Sequence, residues 1–324
     1  MADFRFYSPE DVIYANLQDT TGQMDMLCEQ ERAHLRELAR EITKDLSDPS
    51  ELPLSLSDLL PEKMDLPLRA LTQNTEILAR LHPFHDIRQT VLLCMEICAQ
   101  LHQTKGSQLR AFFSEPEGTA ESLPDRIIYS RSTYSDAAYL RFASLFADPR
   151  AIYTHSFPVA CEEVHNGICR YCILPLENST EGQLNSFARL IDRYELKIVC
   201  TCNVTASDGS RTTRFALLRR EILPLFEEDG TLFFEFATPT QTGISISALL
   251  YAAELCGLHP ERIDSRPKAV NGDKPSLTRF VLRIGNGDLT AFLLFLFSKA
   301  PLTEPIGIYP HMKDAEPIKH GKEI

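Results

Sequence analysis

A chain of 324 residues is long enough for two or three domains, and 44% hydrophobic with 24% charged side chains is the balance of a globular protein with a sizeable core. A net charge of −12 argues against nucleic acid and anionic membrane surfaces as partners, because either requires a basic face. No apolar run reaches the roughly 18 residues that a bilayer demands; the nearest, 291–297, suits a buried helix.

The opening Met-Ala-Asp-Phe-Arg lacks a basic-then-apolar export pattern. A cytoplasmic location is therefore expected, with the nine scattered cysteines reduced and mostly buried. Residues 24–46 carry apolar side chains at helical spacing and predict a helix. Arg32, Arg36, Arg40 and Lys44 recur on it at i,i+4 as a basic stripe, the pattern of a solvated face. A Pro- and Ser-rich break follows over 47–67. Residues 68–81 and 85–103 predict two more helices, and 106–124, rich in Gly, Ser, Glu and Pro, reads as a linker.

From Asp125 the character changes. Strands are predicted at 126–129, 151–155, 171–176, 197–204 and 212–219, with helices at 136–146, 158–166 and 183–194. Strands alternating with helices imply parallel pairing in an α/β sheet. Asp208-Gly209 between the last two strands signals a hairpin. Beyond Thr231 come strand 232–237, helix 244–256, strand 261–266, a turn at Asn271-Gly272-Asp273, strand 277–284, helix 289–297 and strand 306–309. That βαββαβ order is a split βαβ sandwich. The expected fold class is α/β and α+β multidomain: a helical domain over 1–110, an α/β lobe over 125–222 and an α+β domain over 230–312.

The most informative stretch is Pro175-Leu176-Glu177-Asn178-Ser179-Thr180-Glu181-Gly182. An apolar strand pattern stops at a carboxylate, an amide and two hydroxyls, and a helical pattern starts near Gln183. Free backbone N–H groups at a helix start favour anions, so this loop suits a substrate carrying carboxylates. The alternative is an Asn/Ser/Thr helix cap with no ligand.

The loop resembles the Pro-(Ile/Leu)-Glu-Asn-Ser-x-x-Gly signature of prephenate dehydratases. Ser132-Thr133-Tyr134-Ser135 resembles the family's Gly-Thr-Phe-Ser loop, and Ser156-Phe157, Glu162-Glu163-Val164 and Gly167 resemble the run before its signature strand. Residues 195–199 look like the strand after it, and Thr213-Arg214-Phe215 like its Thr-Arg-Phe element. The resemblance implies a periplasmic-binding-protein-like α/β lobe and the conversion of prephenate to phenylpyruvate, water and carbon dioxide. That chemistry holds two carboxylates and helps a hydroxyl leave, which is work for a hydrogen-bond donor or acid, with no metal and no cofactor expected. Carried over by position, Thr213 would assist the leaving hydroxyl, with Arg214 and Phe215 supporting or lining the site. Glu177, Asn178, Ser179, Thr133 and Ser135 would bind prephenate or a similar aromatic carboxylate. From spacing alone, Thr213 is a β-branched residue opening a strand.

Two departures bear on activity. The family's Gly-Pro-x-Gly is here Tyr129-Ser130-Arg131-Ser132, which lacks the glycines that allow close backbone approach to an anion. The family has two lobes, the second built between the Leu-Lys-Ile-Val strand and Thr-Arg-Phe. Here only 13 residues, Cys200 to Thr212, fill that interval. A hairpin is expected in place of the second lobe, leaving the site open to water, and a weak or partner-completed enzyme. The alternative is an active dehydratase with a compact or intersubunit site.

Asp264-Ser265-Arg266-Pro267 resembles the Glu-Ser-Arg-Pro element of the ACT domains attached to these enzymes, and Gly243 sits where that family opens its first helix. These five residues would bind phenylalanine as an effector, in a homodimer. The N-terminal helices faintly resemble a chorismate mutase through Arg36-Glu37-Leu38-Ala39 and Met95-Glu96. Leu35 and Leu46 stand where its catalytic cations are expected, and Cys98 and His102 near its Ser and Gln, so mutase activity is not expected. Cys169-Arg-Tyr-Cys172 with His165 has zinc-like spacing but no second cysteine pair to complete a site.

Overall fold

The computed structural model describes residues 9–44, 81, 85–105, 125–222, 231–240, 243–266 and 277–314. The proline-rich break, the 68–81 helix except Leu81, the 106–124 linker, the turn at Asn271-Gly272-Asp273 and Pro267 lie outside the described residues, as do Leu46 and the side chain of His102.

The first helix is longer than its periodicity predicts: α1 spans Pro9–Lys44 and α2 spans Ile87–Lys105. Leu35, Ala39 and Ile42 return to one side of α1 and are buried against Val91, Cys94, Ile97 and Cys98 of α2. Glu31 clamps the pair, taking Arg88 Nη1 at 2.6 Å and Gln89 Nε2 at 3.2 Å. Arg36 leaves the basic stripe far enough to reach Glu96 at 3.3 Å and remains half exposed. Asp86 caps α2 by accepting from the Gln89 amide at 2.8 Å. The buried faces of these helices lie in the same cluster as Phe234, Phe280, Phe292 and Leu296 from the C-terminal part of the chain.

From Asp125 the elements are β1 (Arg126–Ser130), α3 (Thr133–Ala143), β2 (Arg150–Thr154), α4 (Phe157–His165), β3 (Tyr171–Asn178), β4 (Gly182–Gln183), α5 (Asn185–Arg193), β5 (Lys197–Thr205) and β6 (Thr212–Arg219). The C-terminal part gives β7 (Thr231–Pro239), α6 (Ile246–Leu255), β8 (His259–Arg266), β9 (Leu277–Arg283), α7 (Leu289–Lys299) and β10 (Glu304–His311). The ten strands among the described residues join one sheet, in the order β2-β1-β3-β6-β5-β10-β7-β9-β8, with β4 added beside β3. β1 runs parallel to both β2 and β3, whereas β6 is antiparallel to β3 and β5. Asp208-Gly209 does turn a β5–β6 hairpin, with Gly209 at φ 71°. In the C-terminal part the order β10-β7-β9-β8 is that of a split βαβ sandwich.

The two parts meet where β10 runs parallel to β5. A Cβ on Gly307 would lie 2.5 Å from the Ile198 carbonyl oxygen, so only glycine allows this approach. On one face, α3 covers Tyr129, Val199, Phe215 and Leu217, and the α6–α7 side continues over Phe234, Phe280 and Ile308. On the other face, α4 and α5 cover Leu174, Ile198, Ala216 and Leu218, and Tyr309 joins them. Along this second face Arg262 of β8 touches Glu177 of β3 at 2.8 Å. Six strand steps separate β3 from β8, about 29 Å in a flat sheet. The sheet therefore curls, and its second face is concave. No described helix is long and apolar enough to cross a membrane.

Candidate functional site

The chain passes from β1 through α3 to β2 on one side, then crosses to β3 on the other, so the strand order reverses between β1 and β3. In open α/β sheets the crevice at the carboxyl ends of such strands is the usual ligand site. The expected substrate residues Thr133, Ser135, Asn178 and Ser179 follow or end these two strands. The first turn of α3 also neighbours the β5–β6 hairpin, since the Arg211 guanidinium lies 5.7 Å from the Tyr134 ring.

The signature loop does not run into a helix start. β3 continues through Asn178, turns, and returns as β4, whose Gln183 and Gly182 pair with Glu177 and Asn178. The buried Asn178 uses Oδ1 to accept from the Thr180 and Glu181 amides at 3.0 and 2.6 Å. Helix α5 begins only at Asn185, with Leu184 at its cap position and no side-chain cap. The expectation of free helix-start amides at this loop is thereby corrected: the Asn178 side chain takes two of the turn amides itself. Ser179 accepts from the Thr212 amide through Oγ at 3.1 Å and donates its own amide to the Thr212 carbonyl at 2.8 Å.

Ser135 is committed as well. Its hydroxyl donates to the Ser130 carbonyl at 2.6 Å and shares a 2.6 Å bond with Ser132 Oγ, which also accepts from the Ser135 amide. This ties β1 to the first turn of α3. Thr133, one turn-position earlier, is exposed. Thr213 pairs with Asn178 across β3–β6 and is 5% exposed, and its hydroxyl makes no hydrogen bond among the described residues. Phe215, expected to support or line the site, lies in the core beneath α3. Arg214 points to the opposite, concave face, where Nη1 meets Glu177 Oε1 at 3.1 Å.

The concave face gathers charges that sequence reasoning did not assemble. Glu177 Oε2 takes Arg262 Nη1 at 2.8 Å. Buried Glu235 is bound on Oε1 by the buried Arg279 Nε, and on Oε2 by the Tyr309 hydroxyl at 2.5 Å. Burial, and then the Glu235 carboxylate, push the Tyr309 phenol far up, so it stays a donor. The available signal was one carboxylate in the apolar run Leu232-Phe233-Phe234-Glu235-Phe236-Ala237, and one guanidinium in Leu277-Thr278-Arg279-Phe280-Val281.

His311 closes this face. Its Nδ1 lies 2.9 Å from Thr201 Oγ1 and its Nε2 3.2 Å from Asn203 Nδ2. Burial first, and then Arg214, hold its pKa below the ordinary 6.5. A histidine kept neutral in the fold contributes stability above the unfolded pKa, and that stability is lost as pH falls, because the unfolded chain then binds the proton more readily. Urea midpoints should fall between about pH 7.5 and about pH 5.5, and fall less in His311→Gln. Equal pH slopes in the two proteins would show that His311 carries none of it.

Of the expected effector residues, Asp264 lies beside Arg262, with Oδ2 2.9 Å from Nε. Ser265 is exposed and pairs with Thr278, and the side chain of Arg266 lies outside the described residues. Gly243 does not open the helix. α6 starts at Ile246, and Ser245 caps it by accepting from the Ala248 amide at 3.2 Å. Among the described residues, nothing would lie within 4 Å of a Cβ at Gly243. His165 binds the Tyr194 carbonyl at 2.9 Å, and Cys169 and Cys172 are buried. Among the described residues, no three His, Cys, Asp or Glu side chains group as metal ligands.

Residues 130–209 match the family model of prephenate dehydratase. This segment is similar to the prephenate dehydratase family. The matched segment carries α3 and the signature turn, and it stops inside the β5–β6 hairpin, before Thr213. Similar solved structures include the prephenate dehydratase of Streptococcus mutans, 18% identical over 58% of this chain and 99% of that one, with a TM-score of 0.47. The prephenate dehydratase of Arthrobacter aurescens in complex with L-Phe is 16% identical over 60% and 93%, with a TM-score of 0.45. A protein described as a novel type of quorum quenching acylase, GqqA, is 21% identical over 58% and 96%, with a TM-score of 0.44. No curated protein sequence matches the chain.

Proposed function

We propose that this is a cytoplasmic prephenate dehydratase-family protein of phenylalanine biosynthesis. In this reading it binds prephenate or a similar aromatic carboxylate, turns it over weakly or only with a partner, and senses phenylalanine through an ACT-like C-terminal unit. The proposed units are the helical 1–110, the lobe 125–222 and the ACT-like 230–312, assembled as a homodimer. The observation that carries the reading is the short hairpin between β5 and β6, which leaves Thr213 next to the Asn178–Ser179 turn with no second lobe between. Loss of carbon dioxide and the ring hydroxyl requires a donor at the departing oxygen, and the unbonded Thr213 hydroxyl is the group available for it. A one-sided site leaves both substrate carboxylates in water, where each hydrogen bond contributes less to the transition state.

The chain is expected to form phenylpyruvate from prephenate at least about 100-fold more slowly than the enzyme median of about 10 per second. Phenylalanine should raise its melting temperature. Turnover near the median would favour the second reading, an active enzyme with a compact or intersubunit site, which the free Thr213 hydroxyl supports. Absence of both turnover and a phenylalanine shift would remove the family function from this chain.

A further inference from the structure

Glu177 opens the Glu-Asn-Ser run, and its two oxygens are held by arginines from different parts of the chain: Oε1 by Arg214 at 3.1 Å and Oε2 by Arg262 at 2.8 Å. Arg262 stands on β8 and is itself divided. Its Nη2 is 4.0 Å from Glu235 Oε1, and its Nε is 2.9 Å from Asp264 Oδ2. The Arg262–Asp264 approach is close but misaligned, since both atoms are buried with no hydrogen-bond partner among the described residues. A guanidinium binds a carboxylate best through two parallel bonds, and Arg262 makes no such fork with any of its three neighbours. Two arrangements of the same groups are therefore available: Arg262 turned to Glu177, or squared onto Asp264.

We propose that Arg262 is a positioning residue through which strand β8 sets the Glu177–Gly182 turn, its guanidinium dividing between Glu177 and Asp264. The functional meaning rests on reading that turn as part of the dehydratase-family site. The coupling itself does not, because it is a property of the ion pairs. Glu177 precedes Asn178, whose Oδ1 carries the Thr180 and Glu181 amides, so holding Glu177 holds the turn. Coupling of this kind is reciprocal: what engages Asp264 alters the turn, and what engages the turn alters β8.

The test is amide hydrogen exchange on the full chain, reading Thr180, Glu181 and Leu184 against β1 and α3 as internal reference. Arg262→Met should speed exchange at the turn about tenfold, with the reference amides changing by less than about twofold. Arg262→Lys should restore part of the protection, since it returns a cation to Glu177 without the fork. Asp264→Asn removes the competing carboxylate and should slow exchange at the turn. Unchanged turn amides in Arg262→Met, an equal rise across the reference elements, or faster exchange in Asp264→Asn would each overturn the proposal. Prephenate binding to the same proteins separates the two claims. Coupled exchange without binding keeps the role of Arg262 and removes the substrate assignment; binding with uncoupled exchange does the reverse.

Discussion

Replacing Arg279 with methionine is expected to destabilise the fold by about 3–5 kcal/mol, read as a fall in the urea midpoint. The Glu235 side chain is 1% exposed and that of Arg279 5% exposed, so the carboxylate has no water to turn to when its cation is removed. Tyr309 would remain as a donor at 2.5 Å, and Arg262 Nη2 at 4.0 Å is too far to replace a direct bond. The cost comes from stranding a buried charge and is not the net worth of the pair. Removing both members, as in Glu235→Leu with Arg279→Met, should therefore recover most of the loss. A single variant that loses less than about 1 kcal/mol would mean that Glu235 is served by water or by Arg262.

Phe292→Ala is expected to cost a similar 3–5 kcal/mol, roughly the range for emptying a fully buried aromatic site. Phe292 is 0% exposed on α7, and its ring lies 6.0 Å from Phe236, 6.4 Å from Phe234 and 6.5 Å from Phe295. The same cluster contains Leu35, Ile42 and Ile97 from α1 and α2. Loss of helical signal and loss of aromatic packing should thus shift together in one transition. Separate transitions, with the N-terminal helices melting apart from the sheet, would count against a shared core.

Local pattern made much of the architecture legible. Short runs rich in apolar and β-branched residues predict strands 171–176, 197–204 and 212–219, and each forms within two residues of those limits. Helix ends moved for a reason that spacing does not carry. Ser132 caps α3 and draws its start forward to Thr133, ahead of the first charged position at Asp136. The signature turn was legible as residues but not as geometry. A hydrophilic run after a strand has the same appearance whether it enters a helix or folds back as β4, and Asn178 decides between them by accepting the Thr180 and Glu181 amides.

The sequence by itself determined the order of most elements, the likeness of residues 130–209 to prephenate dehydratases and the hairpin that stands between Val199 and Thr213, because each depends on neighbours in the chain. The curl of the sheet was decided only in three dimensions. Arg262 and Glu177 are 85 positions apart and Arg279 and Glu235 44 apart, and no local pattern reports which of several charges will share a buried face. Their pairing follows from strand twist and register summed over the whole sheet, together with the cost of leaving any one of these charges buried without an opposite.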